Sequence, residues 1–525
     1  MLFNSVAFIF AFLPLVVLGF HGLRRLSRDD DALLWLTVTS AFFYAYWRPP
    51  YLLLLIASIL FNYYTARRLD DHLERQEVGR ARRLLIARIA LNILLLGYFK
   101  YAAFIASQFS RLVGVDWQFE QRTLPLGISF YTFTEIAFLV DIYRRLARPG
   151  KMRDYFLFVT FFPHLIAGPI VHYRQLVPQF KDRTEQGDAH DLALGLAIFV
   201  AGLFKKVVLA DTFAVYASPA FDMALPSGTP LSLLPAWGAA LAYTFQLYFD
   251  FSGYSDMAIG LARVFGIRFP INFDSPYKAT SIIDFWRRWH ITLSSFLRDY
   301  LYIPLGGSRK GRVRRHLNLL LTMGLGGLWH GAGWTFIVWG LFHGTLLVLN
   351  HLWKELRGSA WKGTGGGEAS SSPLGAALDR AATFLAVVVG WVLFRAHTLP
   401  QAVQLLRSMV GYHGVVFPRV LLNRLGSLGS WGPTMSAAGI RFESLDLTYW
   451  GGVHEVMWLL GGLFVTMALP NTTQLFLSAE LAPSTHVRWR WAPTTPWALL
   501  GGVALTLAIV TLLTNSASEF LYFNF

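Results

Sequence analysis

Long apolar runs recur along this chain from its first residues almost to its last. The first run, from Leu2 to His21, has about the 20 residues that an α-helix needs to cross a hydrocarbon layer. Only 15% of the residues are charged, against about 25% in a typical soluble domain. The pattern predicts an all-α polytopic membrane protein, folded as one helical bundle with about 10–12 membrane helices.

In the first part of the chain, the predicted spans alternate with basic connections. They are Leu2–His21, Ala32–Tyr46, the short run Tyr51–Tyr64, Leu84–Ile105 and Leu124–Val140. The connections after the first, third and fifth spans are rich in Arg, most clearly in 67–83 and 144–153. Because Lys and Arg collect in cytoplasmic loops, we expect these three connections in the cytoplasm and the N-terminus outside. The apolar start without a basic leader predicts a retained first span rather than a signal peptide.

The middle of the chain is less regular. The run Tyr155–Tyr173 contains Pro163 and a Gly-Pro pair, which predicts a broken or re-entrant helix. The stretch Asp274–His316 is too charged to face lipid and rich in aromatic residues, so amphipathic helices at the cytoplasmic face are expected there. Further spans are predicted at Leu192–Val208, Leu231–Phe251, Leu317–Trp339, Ala381–Phe394, Trp458–Leu469 and Trp497–Leu513.

Three regions are predicted along the chain. Residues 1–356 form a core that contains the candidate site, and the Gly- and Ser-rich residues 357–373 form a flexible linker. Residues 374–525 carry the last membrane helices, with an extramembrane insert near 412–450. We find no internal repeat of the kind that inverted-repeat transporters show.

The charge and the motifs narrow the possible functions. The net charge of +15 is typical of basic cytoplasmic loops, although anionic lipid or a phosphorylated donor could use the same charges. No nucleic-acid partner is predicted. The absence of Cys excludes disulfides, Cys-based zinc sites and thiol catalysis. No Walker A loop, G-x-S-x-G elbow or H-E-x-x-H zinc motif is present, and no metal site is predicted.

Two histidines are the main candidates for chemistry. His330 lies in an apolar run without a charged neighbour, where an ionisable group is costly unless it has a function or a partner. It is predicted as a general base, the alternative being a neutral hydrogen-bonded core histidine. His290 ends the aromatic-basic block 285–290. That block could equally be an interfacial anchor, and His290 could instead share a site with His330.

Further residues are weaker candidates for substrate or donor binding, and structural roles remain open for each. They are Trp329, Trp286, Arg287, Arg288, Asp250 and Ser252. A basic belt could hold donor phosphates or anchor the chain at the membrane surface: Arg287, Arg288, Arg298, Arg309, Lys310, Arg312, Arg314 and Arg315. His343 is expected to be structural. The glycines at 324–327 indicate close helix packing rather than a phosphate cradle.

Six stretches in this order resemble one family. They are PLGISFYTF (125–133), FFPHLIAGPI (161–170), FDFSGYSD (249–256), DFWRRWH (284–290), YIPLGGS (302–308) and GLWHGA (327–332). The chain resembles the membrane-bound O-acyltransferases (MBOAT), with the greatest likeness to the bacterial branch of the alginate O-acetyltransferases (AlgI-like). The tail FLYFNF (520–525) is similar to that branch as well.

The resemblance implies a catalytic His at 330 and a second polar residue at 290, both at a central tunnel through the bundle. It implies that acetyl-CoA is the donor substrate, with no bound cofactor. It also implies transfer to an extracellular polysaccharide through an extracytoplasmic SGNH-type acetyltransferase or polysaccharide-assembly protein, in a bacterial inner membrane. Alternatives are D-alanyl or other acyl transfer to teichoic acid or another glycan, and a non-catalytic transporter or scaffold of an exopolysaccharide machine.

Overall fold

A computed structural model describes residues 1–115, 123–180, 188–222, 230–361, 372–419, 431–437, 439–443, 450–481, 489–514 and 520–521. Within these ranges the fold is helical apart from one short parallel pair of strands, β1 (Val416–Pro418) and β2 (Arg441–Glu443). The pair lies in the predicted 412–450 insert. The prediction of an all-α polytopic protein is confirmed.

Eleven α-helices precede residue 230 in the described ranges. They are α1 Leu13–Arg25, α2 Asp29–Ala45, α3 Pro49–Glu74, α4 Val78–Lys100, α5 Ala102–Val113, α6 Ile128–Tyr143, α7 Met152–Thr160, α8 Phe162–Leu165, α9 Tyr173–Leu176, α10 Asp188–Phe204 and α11 Asp211–Asp222. Wider π-helical turns cover Phe8–Phe12 and Lys205–Ala210, and a 3₁₀ turn covers Val177–Phe180. The predicted break in 155–173 is confirmed, since α7 and α8 end before the irregular Gly-Pro segment.

Eleven further α-helices follow in the described part of the second half. They are α12 Leu233–Val264, α13 Ile282–Arg288, α14 Ile291–Leu297, α15 Arg312–His330, α16 Trp334–Trp361, α17 Pro373–Arg395, α18 Leu399–Met409, α19 Trp431–Ala437, α20 Gly452–Ala468, α21 Ser478–Leu481 and α22 Thr495–Thr514. A 3₁₀ turn covers Pro276–Lys278, and π-helical turns cover Arg298–Tyr302 and Thr473–Leu477. The short helices predicted for 274–316 are therefore present.

Seven helical segments in the described residues are long and apolar enough to cross a membrane. They are Phe8–Arg25, Pro49–Glu74, Ala189–Asp222, Trp334–Leu356, Pro373–Arg395, Gly452–Leu477 and Thr495–Thr514. The number is eight if the bent pair α4 and α5 counts as one span, against the predicted 10–12. Helices such as α6 and α15 explain why fewer spans are found than predicted. Helix α6 has only 16 residues, and the first turn of α15 holds three Arg.

Two predicted spans are broken. The span predicted at Leu84–Ile105 is wrong as a single helix, because α4 ends at Lys100 and α5 continues at an angle of 69°. The span predicted at Leu317–Trp339 is also wrong, because α15 ends at His330 and α16 starts at Trp334. The backbone is extended at Gly331, with φ −160° and ψ 150°. Hydropathy misses such breaks, since it counts apolar residues and not the backbone angles between them.

Two other predicted helices are longer in the structure than in the prediction. The short run at 51–64 becomes the 26-residue helix α3, which continues into the Arg-rich segment, and the run at 231–251 becomes the 32-residue helix α12. The predicted linker, 357–373, begins inside α16, which runs to Trp361. Residues 362–371 of that linker lie outside the described residues.

The chain forms two compact units. Unit 1 consists of Met1–Val207, Phe251–Asn272 and Thr472–Phe525. Its core holds a cluster of aromatic rings in which Phe3 stacks on Tyr254 at 5.0 Å, and Phe520 meets the same tyrosine edge-on at 4.4 Å. Arg263 on α12 forms ion pairs with Asp191 and with Glu480. The first and last parts of the chain therefore share one core.

Unit 2 consists of Val208–Asp250 and Phe273–Asn471. It contains α13 to α18, which include both candidate histidines. Its centre is aromatic: Trp289, Trp339 and Trp391 are each at most 2% exposed. Tyr277 donates a hydrogen bond of 2.7 Å to the carbonyl of Thr244, which joins the Pro276–Lys278 turn to α12. Unit 2 thus supplies a rigid, buried setting for the candidate site.

Candidate active site

The site is built on a close hairpin of α15 and α16. A Cβ atom on Gly327 would lie 2.2 Å from the carbonyl oxygen of Phe336, and one on Gly340 would lie 2.2 Å from that of Met323. Both distances are impossible for a real side chain, so glycine at these positions allows the two backbones to touch. The interpretation of the 324–327 glycines as packing residues is supported at Gly327. The hairpin holds the end of α15 in one position.

His330 is the last residue of α15 and is 4% exposed. Its ring meets the rings of Trp329, Trp339 and Phe394 at centroid distances of 4.8, 5.2 and 5.4 Å. The interplanar angles are 68°, 87° and 77°, which are edge-to-face contacts. The predicted catalytic histidine therefore sits in a buried aromatic setting at a break between two helices.

His290 lies between α13 and α14 and is 1% exposed. Its φ of +43° places it in the left-handed region, where a non-glycine residue is strained. The ring centroid lies 6.5 Å from that of Trp329, which in turn contacts His330. The structure thus brings both predicted histidines next to the same indole. Burial lowers the pKa of His290 to about 3, so this ring is neutral at physiological pH.

Two buried residues of this region were missed or undervalued by sequence reasoning. Trp339 contacts His330 at 5.2 Å and His343 at 5.1 Å, so it links the two histidine rings. His343 is 0% exposed, and in the described part of the chain neither of its ring nitrogens has a hydrogen-bond partner. Trp286 packs edge-on against the same ring at 5.2 Å. The available signal was the spacing of four residues between 339 and 343, which places both on one helix face.

The remaining candidates fall into different environments. Arg288 forms ion pairs with Asp284 at 2.9 Å and Asp274 at 3.9 Å, so it holds the start of α13 in place. Arg287 is exposed and has no ion-pair partner among the described residues. Asp250 and Ser252 lie on α12 and are each 1% exposed. They belong to units 2 and 1 respectively, and they stay predictions.

The basic belt divides into paired and unpaired side chains. Arg298 pairs with Asp299 at 2.7 Å, and Arg315 and Arg312 reach Glu355 at 2.5 and 3.8 Å. In contrast, Arg309, Lys310 and Arg314 are exposed and have no acidic partner in the part of the chain that the structure describes. They lie on or next to a turn whose glycines Gly306, Gly307 and Gly311 have positive φ. These three side chains can bind an anion without breaking an ion pair.

The burial of His290 predicts a pH-dependent stability. The folded pKa of about 3 lies below the ordinary value of 6.5, so the unfolded chain takes up a proton first as the pH falls. Stability from this residue is complete above pH 6.5 and decreases toward pH 3, by roughly 2 kcal/mol at pH 5. Thermal unfolding of the detergent-solubilised protein at pH 7.5 and pH 5 should show a smaller acid-induced drop for His290→Gln than for the wild type.

The exposed His397 offers a matched control for this measurement. His397→Gln should reproduce the wild-type difference between the two pH values, because it replaces a histidine that is exposed rather than buried. Equal drops for wild type and His290→Gln would contradict the burial argument, whatever the absolute stability of the variant.

The fold and the site together define a class: a polytopic helical membrane protein with a buried histidine at a helix break. The family model of MBOAT, the membrane-bound O-acyltransferase family, matches residues 143–361, which include both candidate histidines. A peptidoglycan O-acetyltransferase of Helicobacter pylori is 39% identical over all of this chain and 98% of its own length. The chain belongs to the membrane-bound O-acyltransferase family and is an acyltransferase.

Two further relatives show the range of the family. A probable alginate O-acetylase, AlgI, of Pseudomonas aeruginosa is 42% identical over 78% of this chain and 75% of its own length. A teichoic acid D-alanyltransferase of Bacillus subtilis is 28% identical over 49% of this chain and 69% of its own length. The predicted resemblance to the AlgI-like branch is confirmed, and so is the interpretation as an enzyme.

Proposed function

We propose that this chain transfers acetyl from cytoplasmic acetyl-CoA toward an extracytoplasmic polysaccharide, with His330 as the general base. The observation that carries the proposal is the placement of His330, buried at a helix break inside the region that matches the family. Relatives named as O-acetyltransferases of alginate and of peptidoglycan support acetyl as the group transferred. The protein would work in the inner membrane of a bacterium.

The proposed reaction needs an activated hydroxyl. The hydroxyl oxygen forms a bond to the acyl carbon of the thioester, the carbon–sulfur bond breaks, and coenzyme A leaves as a thiolate. His330 accepts the hydroxyl proton and returns it to the thiolate, so no net proton is released. Such general-base help contributes about 10²–10⁴-fold. We assign His290 the role of orienting a substrate or stabilising the developing oxyanion.

The unpaired basic side chains are the proposed contact for the donor phosphates. The triple variant Arg309→Gln, Lys310→Gln, Arg314→Gln should raise the KM for acetyl-CoA by about tenfold and leave kcat nearly unchanged, since it removes attraction and no reacting group. The difference in KM between the wild type and the triple variant should become smaller at high salt, because screening by salt removes the same attraction.

A second basic set provides the control for this donor-site prediction. Arg75, Arg82 and Arg83 are equally exposed, and their replacement by Gln removes the same charge elsewhere. The KM for acetyl-CoA should stay near the wild-type value in that control. An unchanged KM in the first triple variant, together with poorer membrane insertion, would assign Arg309, Lys310 and Arg314 to surface anchoring instead.

The acceptor is proposed to be reached through an extracytoplasmic partner. An SGNH-type acetyltransferase or a polysaccharide-assembly protein would take the acetyl group and pass it to an alginate-like polymer. Peptidoglycan is the second candidate acceptor, favoured by the relative that aligns along the whole chain. D-alanyl transfer to teichoic acid is a weaker alternative, because that relative aligns over about half of this chain.

One assay tests the proposed activity. The purified protein in lipid nanodiscs is incubated with acetyl-CoA carrying a radiolabelled acetyl group, and thiol release and label transfer are measured with alginate oligomers or peptidoglycan fragments. Acetyl-CoA-dependent thiol release above an empty-nanodisc control is expected. Label on one polymer, with the extracytoplasmic partner present, identifies the acceptor. No thiol release with acetyl-CoA, but release with another acyl donor, would overturn the proposed donor.

A further inference from the structure

The rings around His330 leave little space beside its imidazole. Trp339 approaches to 5.2 Å and Phe394 to 5.4 Å, both nearly perpendicular to the histidine ring. These centroid distances correspond to van der Waals contact between ring edges and faces. Trp339 is 2% exposed and Phe394 is 1% exposed. An acyl group that reaches His330 must therefore pack beside these two side chains, which we call the wall.

The wall is supported from behind, so its rings cannot easily move aside. Trp391 stacks on Trp339 at 5.9 Å with an interplanar angle of 20°. Phe394 contacts Trp339 at 5.0 Å and Phe336 at 5.1 Å. A Cβ atom on Gly331 would lie 2.1 Å from the Phe336 ring, which shows how closely that ring covers the helix break. Protein interiors packed in this way lack room for added methylenes.

We propose that Trp339 and Phe394 set the length of the acyl group that His330 can act on, admitting acetyl and excluding longer chains. The inference rests on the proposed function and adds its specificity determinants. On this proposal the methyl group of acetyl lies next to the wall, and each further methylene would have to displace an aromatic ring. A hydrophobic pocket discriminates one methylene by about 10–200-fold. The wild type should thus turn over butyryl-CoA at least about 100-fold more slowly than acetyl-CoA.

Two variants open the wall to different extents. Trp339→Ala removes a whole indole, and Phe394→Leu removes a smaller volume with less risk to folding. Each is purified in nanodiscs and checked for a monodisperse profile, and thiol release is measured with acetyl-, propionyl- and butyryl-CoA. The ratio of butyryl to acetyl turnover should rise by at least about tenfold in Trp339→Ala, and by less in Phe394→Leu.

Trp450→Ala is the matched control. It deletes the same side chain at another buried position of unit 2, and among the described residues its ring does not contact Trp339, Phe394 or Trp391. Its ratio of butyryl to acetyl turnover should stay within about threefold of the wild-type ratio, which is less than the effect of one methylene. A rise equal to that of Trp339→Ala would mean that general loosening, not the wall, changes the specificity.

The outcomes separate this inference from the proposed function. No thiol release by the wild type with acetyl-CoA overturns the proposed function, and this inference with it. If the wild type turns over acetyl-CoA but both wall variants, while monodisperse, keep the wild-type ratio of butyryl to acetyl turnover, only the inference is overturned. Efficient turnover of butyryl-CoA by the wild type would overturn the inference as well. A raised ratio in Trp339→Ala and Phe394→Leu, with an unchanged ratio in Trp450→Ala, supports it.

Discussion

Replacing His330 with Gln should reduce acetyl transfer by about 10²–10⁴-fold while the protein still folds and inserts. Gln keeps hydrogen-bonding capacity and a similar volume but cannot take a proton from a hydroxyl group. His330→Ala should lose at least as much. Thiol release from acetyl-CoA by nanodisc-embedded protein measures the effect, and size-exclusion profiles report on folding. His290→Ala should cost less, because an orienting residue contributes only part of the lowering of the barrier.

A buried histidine of unit 1 provides a control that separates chemistry from packing. His164 is 5% exposed, and its ring nitrogen lies 2.8 Å from the carbonyl oxygen of Phe158. His164→Gln can keep that hydrogen bond and should retain most of the activity. If His330→Gln transfers acetyl at close to the wild-type rate, His330 is a structural histidine and His290 becomes the next candidate for the base.

Gly327→Ala should have the largest effect on stability. Its new Cβ would have to lie 2.2 Å from the backbone oxygen of Phe336, and backbone cannot rotate away as a flexible side chain can. The two helices of the α15–α16 hairpin must then move apart. Overpacking of this kind typically lowers the free energy of unfolding by about 1–3 kcal/mol, and we expect at least that loss here. We expect a lower thermal midpoint in detergent, by several degrees or more, and reduced thiol release because His330 ends α15.

Gly501→Ala provides the comparison for this substitution. Gly501 lies on α22, and a Cβ there meets no atom within 4 Å. Its replacement should leave the midpoint nearly unchanged, since Ala is the better helix former. Equal midpoints for the wild type and Gly327→Ala would show that the two helices are not held as close as the structure describes.

Helix identity could be predicted from sequence more reliably than helix boundaries. The predicted span 231–251 stops near Asp250, where polar residues follow, yet α12 continues to Val264. Those polar residues are buried inside the protein, and Asp256, for example, accepts hydrogen bonds from Lys205 at 2.6 Å and Thr472 at 2.8 Å. A hydropathy argument treats such a residue as a reason to leave the membrane, because it cannot see a partner more than 200 positions away.

The candidate site was predicted in part. His330 and His290 could be selected because a polar ring in an apolar run is unusual, and because short motifs around them resemble the family. Phe394 could not be selected, since nothing local distinguishes it from other apolar residues of α17. It contacts His330 only because α17 packs against α16 in the folded chain. The extended backbone at Gly331 was equally invisible, because a Gly-Ala-Gly sequence is compatible with a helix as well as with a break.

The three-part composition of unit 1 has a consequence for biosynthesis. Its last part, from Thr472 onward, leaves the ribosome only after all of unit 2. At the usual ~5–20 residues per second, α1 to α10 wait for at least about ten seconds before Glu480 can reach Arg263 and Phe520 can reach Tyr254. During that interval the core of unit 1 lacks the side chains of its last part. The amino-terminal helices of this unit can therefore reach their final packing only after nearly the whole chain has been made.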